Sequence, residues 1–518
     1  MKTVKIADFD GGFADDYTDG QRGECSMCKH FDVLSYPKRL QPLRGMTTES
    51  TTNSSIQNII TAADGIMYGI GTEAANPTFA RLWYRQGYGA SDVWTQVSSQ
   101  AASTALRVSG ANDDAAFLVD YPEAGNVRSM FWAATNLLFA GNPAGGSSPD
   151  SQALTFTTIS QGFVHPKDKM LYFGYQTATQ TFIGRIGPNA TSFGSVALTA
   201  LELPKRYRVY SLTNYGDFLA IGVTASEGGS STVSSVILWD RDTSLATVSD
   251  IIPWGAGQLK VLNNLNGALV GVSRMSSNST GSVQDHDSIF IKMWAGGAEP
   301  TLIKEISATR LTATAPSCSI NPHVNFVYNG RLFFSIDVVN GGAAPDYYGL
   351  WSVGRTKSGR WAVQIERMAT SNGSHTSVLA ASIAGDFVSM CHTAAGTLTY
   401  TTNGNNLAVI YGATSVYESL INPNIDPIDA EKKKQIKTAF ISTLPLPDDA
   451  TVTLKYRVDS SLSGSWTTLI TETTNGTTVS EINVNGLIGR KFEFRLESTG
   501  GAIITSFGFK YETLESLI

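Results

Sequence analysis

Charge is scarce in this chain. Asp, Glu, Lys and Arg together make up 16% of 518 residues, against about 25% in an average soluble protein. Helices facing water draw support from i,i+4 ion pairs, and so little charge leaves few of them. Cysteine is scarcer still, at four residues, too few for a disulfide framework in a chain of this size. No run of 18 apolar residues occurs, which argues against a membrane-spanning helix. The opening MKTVKIADFDGG has no apolar run of signal-peptide length. The expectation is synthesis in a reducing cytoplasm, with no membrane anchor. The formal net charge of −6 gives no basic face for general nucleic-acid binding, though it suits a channel that DNA passes through without being gripped.

Catalytic signatures are absent too. The sequence holds no G-x-S-x-G elbow, no Walker A loop, no H-E-x-x-H and no G-x-G-x-x-G after a strand. No catalytic, cofactor-binding or metal-binding residue is assigned, and no cofactor is expected.

What is present is glycine (49 residues) with abundant Ser, Thr and Asn, the composition of many short strands joined by turns. The clearest unit is Val324 to Trp351: an apolar run, the turn Asn329-Gly330, an alternating run, a polar loop and a third run ending in an aromatic. Asn-Gly accepts the positive φ values of a tight hairpin. Weaker copies turn near positions 65, 136, 168, 216, 267 and 385, a mean step of roughly 50 residues, in the range of four-stranded propeller blades. The predicted fold is all-β. It is a β-propeller of seven blades over 51–412, with six or eight blades or a large β-sandwich as alternatives. Residues 1–50 read as an irregular arm lying along another surface, such as a neighbouring subunit. Residues 413–435 read as a linker, and the strict alternation of Val452, Leu454, Tyr456 and Val458, then Phe492, Phe494 and Leu496, predicts a C-terminal antiparallel β-sandwich over 436–518.

Several residues invite chemistry. Cys25-x-x-Cys28 with His30 has the spacing of half a zinc site, but Cys318 and Cys391 stand alone, with His323 and His392 near them, and structural zinc wants a second close pair. The acids Asp8, Asp10, Asp15, Asp16 and Asp19 suggest calcium, yet a loop begun at Asp15 puts Tyr17 and Ser26 where ligands belong, so turn formation explains them better. Lys357-Ser-Gly-Arg-Trp361 and Leu462-Ser-Gly-Ser-Trp466 look like the boxes of sialidase propellers without the aspartate, and read as hairpin turns. His165, His286 and His375 lie among polar residues with no nucleophile paired to them. Lys432-Lys433-Lys434 reads as a solvated face. Asn189 and Asn278 match the glycosylation pattern only through local richness in Asn, Ser and Thr. Trp94, Tyr347, Tyr348 and Trp466 are aromatics that could stack on sugars or pack blade edges.

Two stretches resemble structural tail proteins of tailed bacteriophages. They are FDGGFADDYTDGQRGECSMCKHFDV followed by LQPLRGM, and YRVDSSLSGSWTTL with GLIGRKFEFRLES. The resemblance implies a virion protein without enzymatic activity. In short-tailed phages, propeller-bearing subunits form the nozzle through which DNA leaves. What it implies here is a homo-oligomeric ring at the tail, made in the host cytoplasm and meeting other tail proteins such as an adaptor or a fibre. Collar, hub or fibre-base roles, and carbohydrate recognition at the host surface, remain as alternatives.

Overall fold

The computed structural model describes residues 1–9, 11–13, 24–36, 38–43, 47–49, 54–61, 66–73, 76–85, 95–96, 118–122, 128–134, 137–141, 150–154, 156–187, 196–227, 231–244, 247–275, 288–307, 317–340, 349–368, 376–384, 387–394, 405–409, 419–423, 432–458 and 465–514. Every regular element among them is a strand. The chain forms two compact units: 47–350 with 369–411, and 1–46 with 351–368 and 412–518.

The larger unit carries the propeller. Four-stranded antiparallel meanders follow one another at 54–96, 118–153, 158–203, 207–256 and 258–307. A sixth runs from 317 to 368 in chain order, and the division between the units falls inside its third strand, Gly349–Arg355. The seventh takes three strands from 376–409, and its fourth is Thr47–Glu49, paired antiparallel with Asn405–Val409. An N-terminal strand therefore completes the last blade. Without it Asn405–Val409 would present an open edge.

The anticipated turns lie between consecutive strands. At Asn329-Gly330 φ is 48° and 71°, and at Asn266-Gly267 it is 55° and 86°, the doubly positive pattern of a type I′ hairpin. Phe326 and Val327 pair with Phe333 and Leu332 as the opening unit requires. The turns near 65, 136 and 385 lie outside the described residues, but the strands on either side of each pair with one another.

Blades pack because second strands carry a small residue where a neighbour approaches. A Cβ on Gly174 would stand 2.4 Å from Cγ1 of Val209 in the next blade, closer than any van der Waals contact. Leu219, Ile221 and Val223 alternate with Ala220 and Gly222 along one such strand and are fully buried. Each aliphatic side chain so removed from water contributes about 1.5–3 kcal/mol.

The smaller unit is a sandwich with one correction to expectation. The described residues of 1–50 are not an irregular arm. Lys2–Ile6 pairs antiparallel with Ile504–Thr513, giving the sheet order Lys2–Ile6, Ile504–Thr513, Lys434–Thr443, Val479–Gly489. Glu24–Lys29 pairs parallel with Gly12–Phe13, parallel with Trp361–Met368 and antiparallel with Ser419–Pro423, which in turn pairs with Phe492–Thr499. Residues 419–423, expected in a linker, are thus a strand within a sheet. Phe9, Cys25, Cys28, Phe31, Val33 and Leu40 are buried among Val452, Leu454, Phe494, Phe507 and Phe509. The physical reason is core completion: these N-terminal apolar groups fill space that the C-terminal strands leave open.

Candidate functional site

Among the described residues, the first strands of two blades are interrupted. In the third blade the first strand is split into Thr158–Ile159 and Phe163–Val164, which pair with opposite ends of Leu171–Gln176. In the sixth, Ser317–Ser319 and Phe326–Tyr328 pair with opposite ends of Arg331–Asn340. Pro322 has no N–H to give a ladder, and the chain turns around Asn321, whose Oδ1 accepts from the His323 N–H at 3.0 Å. Ser160 bridges the other gap, its hydroxyl accepting from the Gly174 N–H at 2.8 Å. The breaks free Gln161, His323 and Asn325 to leave the sheets.

These side chains meet across the axis. Asn58 of the first blade donates to Oε1 of Gln161 in the third at 3.0 Å, and its Nδ2 lies 3.5 Å from Nδ1 of His323 in the sixth. Asn325 of the sixth blade donates to Oγ of Ser211 in the fourth at 2.6 Å and to the Leu262 carbonyl of the fifth at 3.3 Å. Asn263 donates back to Oδ1 of Asn325 at 3.2 Å. The Ser211 hydroxyl donates to the Leu262 carbonyl and accepts from its N–H. Several of these contacts link blades that are not neighbours in the ring, so at this level the centre of the propeller is bridged by protein. Asn58 and Ser211 are almost wholly buried. The bridging groups are amides, a hydroxyl and an imidazole. They can lock blades and orient a small polar guest, and no nucleophile-and-base set is among them.

A second polar group joins the third and fourth blades. His165 is fully buried. Its Nε2 lies 3.3 Å from the Phe218 carbonyl, so that nitrogen carries the proton, and its Nδ1 accepts from Arg241 at 2.9 Å. Asp168 accepts from Arg241 at 2.7 Å and from the Tyr172 hydroxyl at 2.8 Å. Burial, then the Arg241 charge, holds the His165 pKa below its ordinary value of 6.5. Burial and the bond to Asp168 push the Tyr172 phenol up. Lys167 and Asp217 form an exposed ion pair beside this group.

The sequence candidates separate. Cys25 and Cys28 are buried thiols outside any disulfide, directed at the carbonyls of Gly12 and Phe31. Among the described residues no group of three or more His, Cys, Asp or Glu could hold a metal ion. Asp10, Asp15, Asp16, Asp19, Trp94, Asn189, Asn278, His286, Tyr347, Tyr348 and His375 lie outside the described residues. Cys318 and Cys391 lie on separate strands, Ser317–Ser319 and Phe387–Ala394. Lys357 to Trp361 is a hairpin turn with Gly359 at φ 87°. Lys434 is not a solvated lysine: it is 4% exposed, and its ammonium donates to the carbonyls of Lys432 and Arg490. Trp466 packs on two guanidinium groups, Arg457 at 4.6 Å and Arg495 at 4.4 Å. The axial role of Asn58, Gln161, Ser211 and Asn325 was not anticipated. Its only sequence signal is polar residues in, or between the pieces of, first strands, where apolar ones would be expected.

No protein-family model matches the chain, and no curated protein matches it. Among solved structures it is similar to the β-propeller domain of Cps50 (Swd1) from Myceliophteria thermophila, at 10% identity and TM-score 0.42, covering 71% of this chain and 99% of that one. It is similar to the Dos1 propeller at 11% identity and TM-score 0.41, covering 76% and 97%. It is also similar to an exo-β-1,3-galactanase from Phanerochaete chrysosporium at 10% identity and TM-score 0.33, covering 88% and 95%. No substrate or partner follows from likenesses at this level.

Proposed function

We propose that this chain is a structural protein of a bacteriophage tail, assembled as a ring of identical subunits around the path of the DNA. The observation that carries the reading is the meeting of the two tail-protein-like stretches in one body. Glu24–Lys29 pairs with Ser419–Pro423, and that strand pairs with Phe492–Thr499, the strand of the FEFRLES motif. Stretches separated by more than 400 positions in the chain thus build a single sheet. The bridged propeller axis adds a constraint. Hydrogen bonds between Asn58 and Gln161 and between Asn325 and Ser211 leave no passage for a duplex through one propeller, so a DNA conduit must lie between subunits. The subunit acts as a wall, and no chemistry is asked of it.

The experiment is direct. Particles purified from the host that carries this gene are analysed by mass spectrometry and labelled with gold-conjugated antibody to the chain. The expected result is several copies per particle with label confined to the tail. Particles without the chain, or label on the capsid, would overturn the reading.

A second reading, carbohydrate recognition at the host surface, rests on Trp466. It stacks with Arg457 and Arg495, themselves ion-paired with Glu493 and Glu497, on the sheet face opposite the buried Val452 and Leu454, a half-buried aromatic of the kind that stacks on a sugar ring. A glycan-array screen of wild type against Trp466→Ala separates this reading from wall-building alone.

A further inference from the structure

We infer that the sandwich sheet joins edge to edge with the same sheet of a second copy of this chain, the strand Val479–Gly489 of one pairing with Lys2–Ile6 of the next. The inference deepens the ring reading above and rests on it for biological setting, but its argument comes from the sheet itself.

Among the described residues, no strand pairs with either side of the sheet. Its order places Lys2–Ile6 at one edge and Val479–Gly489 at the other. The second edge is long and apolar for an exposed strand: Val479 is 57% exposed, Ile482 40% and Ile488 45%. Such an edge is a template for another strand unless something covers it. Its regular part ends where Ile436 pairs with Leu487 and Thr438 with Asn483, leaving Val484, Asn485 and Gly486 looped out. The five residues Val479–Asn483 before that bulge match the five of Lys2–Ile6.

The register makes the two edges complementary. Cross-strand partners line up as rows across the sheet. One row is Lys5, Gly508, Phe440, Glu481, and the next is Val4, Phe509, Ala439, Ile482. Continuing the sheet into a second copy extends each row. Glu481, which already accepts from the Lys510 ammonium of its own sheet at 3.1 Å, then stands beside Lys5 of the partner subunit as well, and Ile482 beside the partner's Val4. The charge pair lies on the outer face with Phe440. The apolar pair lies on the core face with the buried Ala439 and Phe509. The strand sense also agrees. Three successive antiparallel pairings make Val479–Gly489 antiparallel to Lys2–Ile6, and translation preserves that sense. A contact using two different edges is heterologous, and closes into a ring when its rotation divides a full turn.

The test measures association of the purified full chain by light scattering and sedimentation. Wild type is expected to form a closed multi-copy species at high micromolar concentration. Ile482→Lys, at an exposed position, is expected to be a folded monomer by circular dichroism. Lys5→Glu should weaken association about tenfold, as like charges replace a pair; Glu481→Lys should weaken it at least as much, since it also sets a lysine beside Lys510, and the two together should restore part of the loss. Cysteine variants read the geometry: Lys5→Cys mixed with Glu481→Cys should cross-link under oxidation, and neither should alone. A wild type that stays monomeric, charge variants without effect, or Glu481→Cys dimerising with itself would overturn the proposal. Localisation in purified particles is read separately. A tail-located chain whose charge variants assemble normally sinks this interface and leaves the tail reading standing.

Discussion

Nη1 of Arg241 lies 2.9 Å from Nδ1 of His165, so a guanidinium that can only donate faces the ring nitrogen that must stay bare. Protonating His165 would turn that hydrogen bond into a repulsion between two cations, with Asp168 at 3.8 Å offsetting only part of it. The His165 pKa is accordingly held below 6.5. In the unfolded chain the imidazole regains its ordinary value, so between the two pKa values the unfolded state binds more protons. Stability therefore rises with pH across that window, and is lost as pH falls from about 6.5 toward the folded value. Urea midpoints measured from pH 7 to pH 5 should fall for wild type, and fall less for His165→Gln.

The same junction predicts an asymmetry at Asp168. Arg241 is 10% exposed and Asp168 26%. Asp168→Ala strands a largely buried guanidinium and takes the acceptor from the Tyr172 hydroxyl. Because the carboxylate is partly wet, the loss is expected to be about 1–3 kcal/mol, below the 3–5 kcal/mol of a fully buried pair. Lys167→Ala breaks only an exposed pair with Asp217 and should leave the chemical-denaturation midpoint nearly unchanged.

At the axis, the Ser211 hydroxyl serves three partners: the Leu262 N–H, the Leu262 carbonyl and the Asn325 amide. Ser211→Ala should cost about 1–3 kcal/mol, because buried donors lose their acceptor. Asn325→Ala removes the bridge between the sixth and fourth blades, and hydrogen exchange should quicken in the interrupted first strand near Asn321 more than in the fourth blade.

How much of this was legible in the sequence depends on whether a residue obeys a period. Asn329-Gly330 and Asn266-Gly267 announce their hairpins because only positive φ fits the turn. Val452 and Leu454 announce a half-buried strand by alternation. Glu24–Lys29 announces nothing. It has strand partners on both sides, and Glu24, Cys25, Met27 and Cys28 are all buried, so alternation disappears and ECSMCK looks like irregular chain. The axial amides were illegible for another reason. Gln161 and Asn325 sit between strand pieces two or three residues long, too short to show a period, and what brings Asn58, in the eight-residue strand Ser54–Thr61, to Gln161 is the closing of the blades. Lys434 shows the limit of a charge run as a surface signal, since two carbonyls hold its ammonium inside.

The glycine at 174 gives a packing test. Its missing Cβ leaves room for Val209, whose Cγ1 and Cβ would lie 2.4 and 2.5 Å away. Gly174→Ala must push the third and fourth blades apart or force Val209 off its rotamer, at a cost of about 1–3 kcal/mol. Shortening the neighbour should restore part of the loss. Thermal melts of Gly174→Ala, Val209→Ala and the double variant form a cycle, and the double variant should melt higher than the sum of the singles predicts.

Removing residues 1–49 should be far more damaging than trimming a loose arm. An arm lying on a neighbour could be deleted and leave a folded monomer. Here the deletion takes Phe9, Cys25, Cys28, Phe31, Val33 and Leu40 out of the sandwich core. It also takes Thr47–Glu49 off the edge of Asn405–Val409. Each large buried apolar side chain lost costs about 2–5 kcal/mol, cavity included. That sum exceeds the 5–15 kcal/mol by which a domain is stable, so the truncated sandwich should not fold. The prediction is aggregated or protease-sensitive protein from the 50–518 chain. Adding back residues 1–49 as a separate polypeptide during refolding should rescue soluble yield, since its strands carry their own pairing registers. A milder deletion, of residues 1–6 alone, removes one edge strand and leaves Phe9 to Leu40 in place. It should give a folded chain whose melting temperature falls by several degrees, and whose limited-proteolysis pattern changes near Ile504–Thr513, the strand left uncovered.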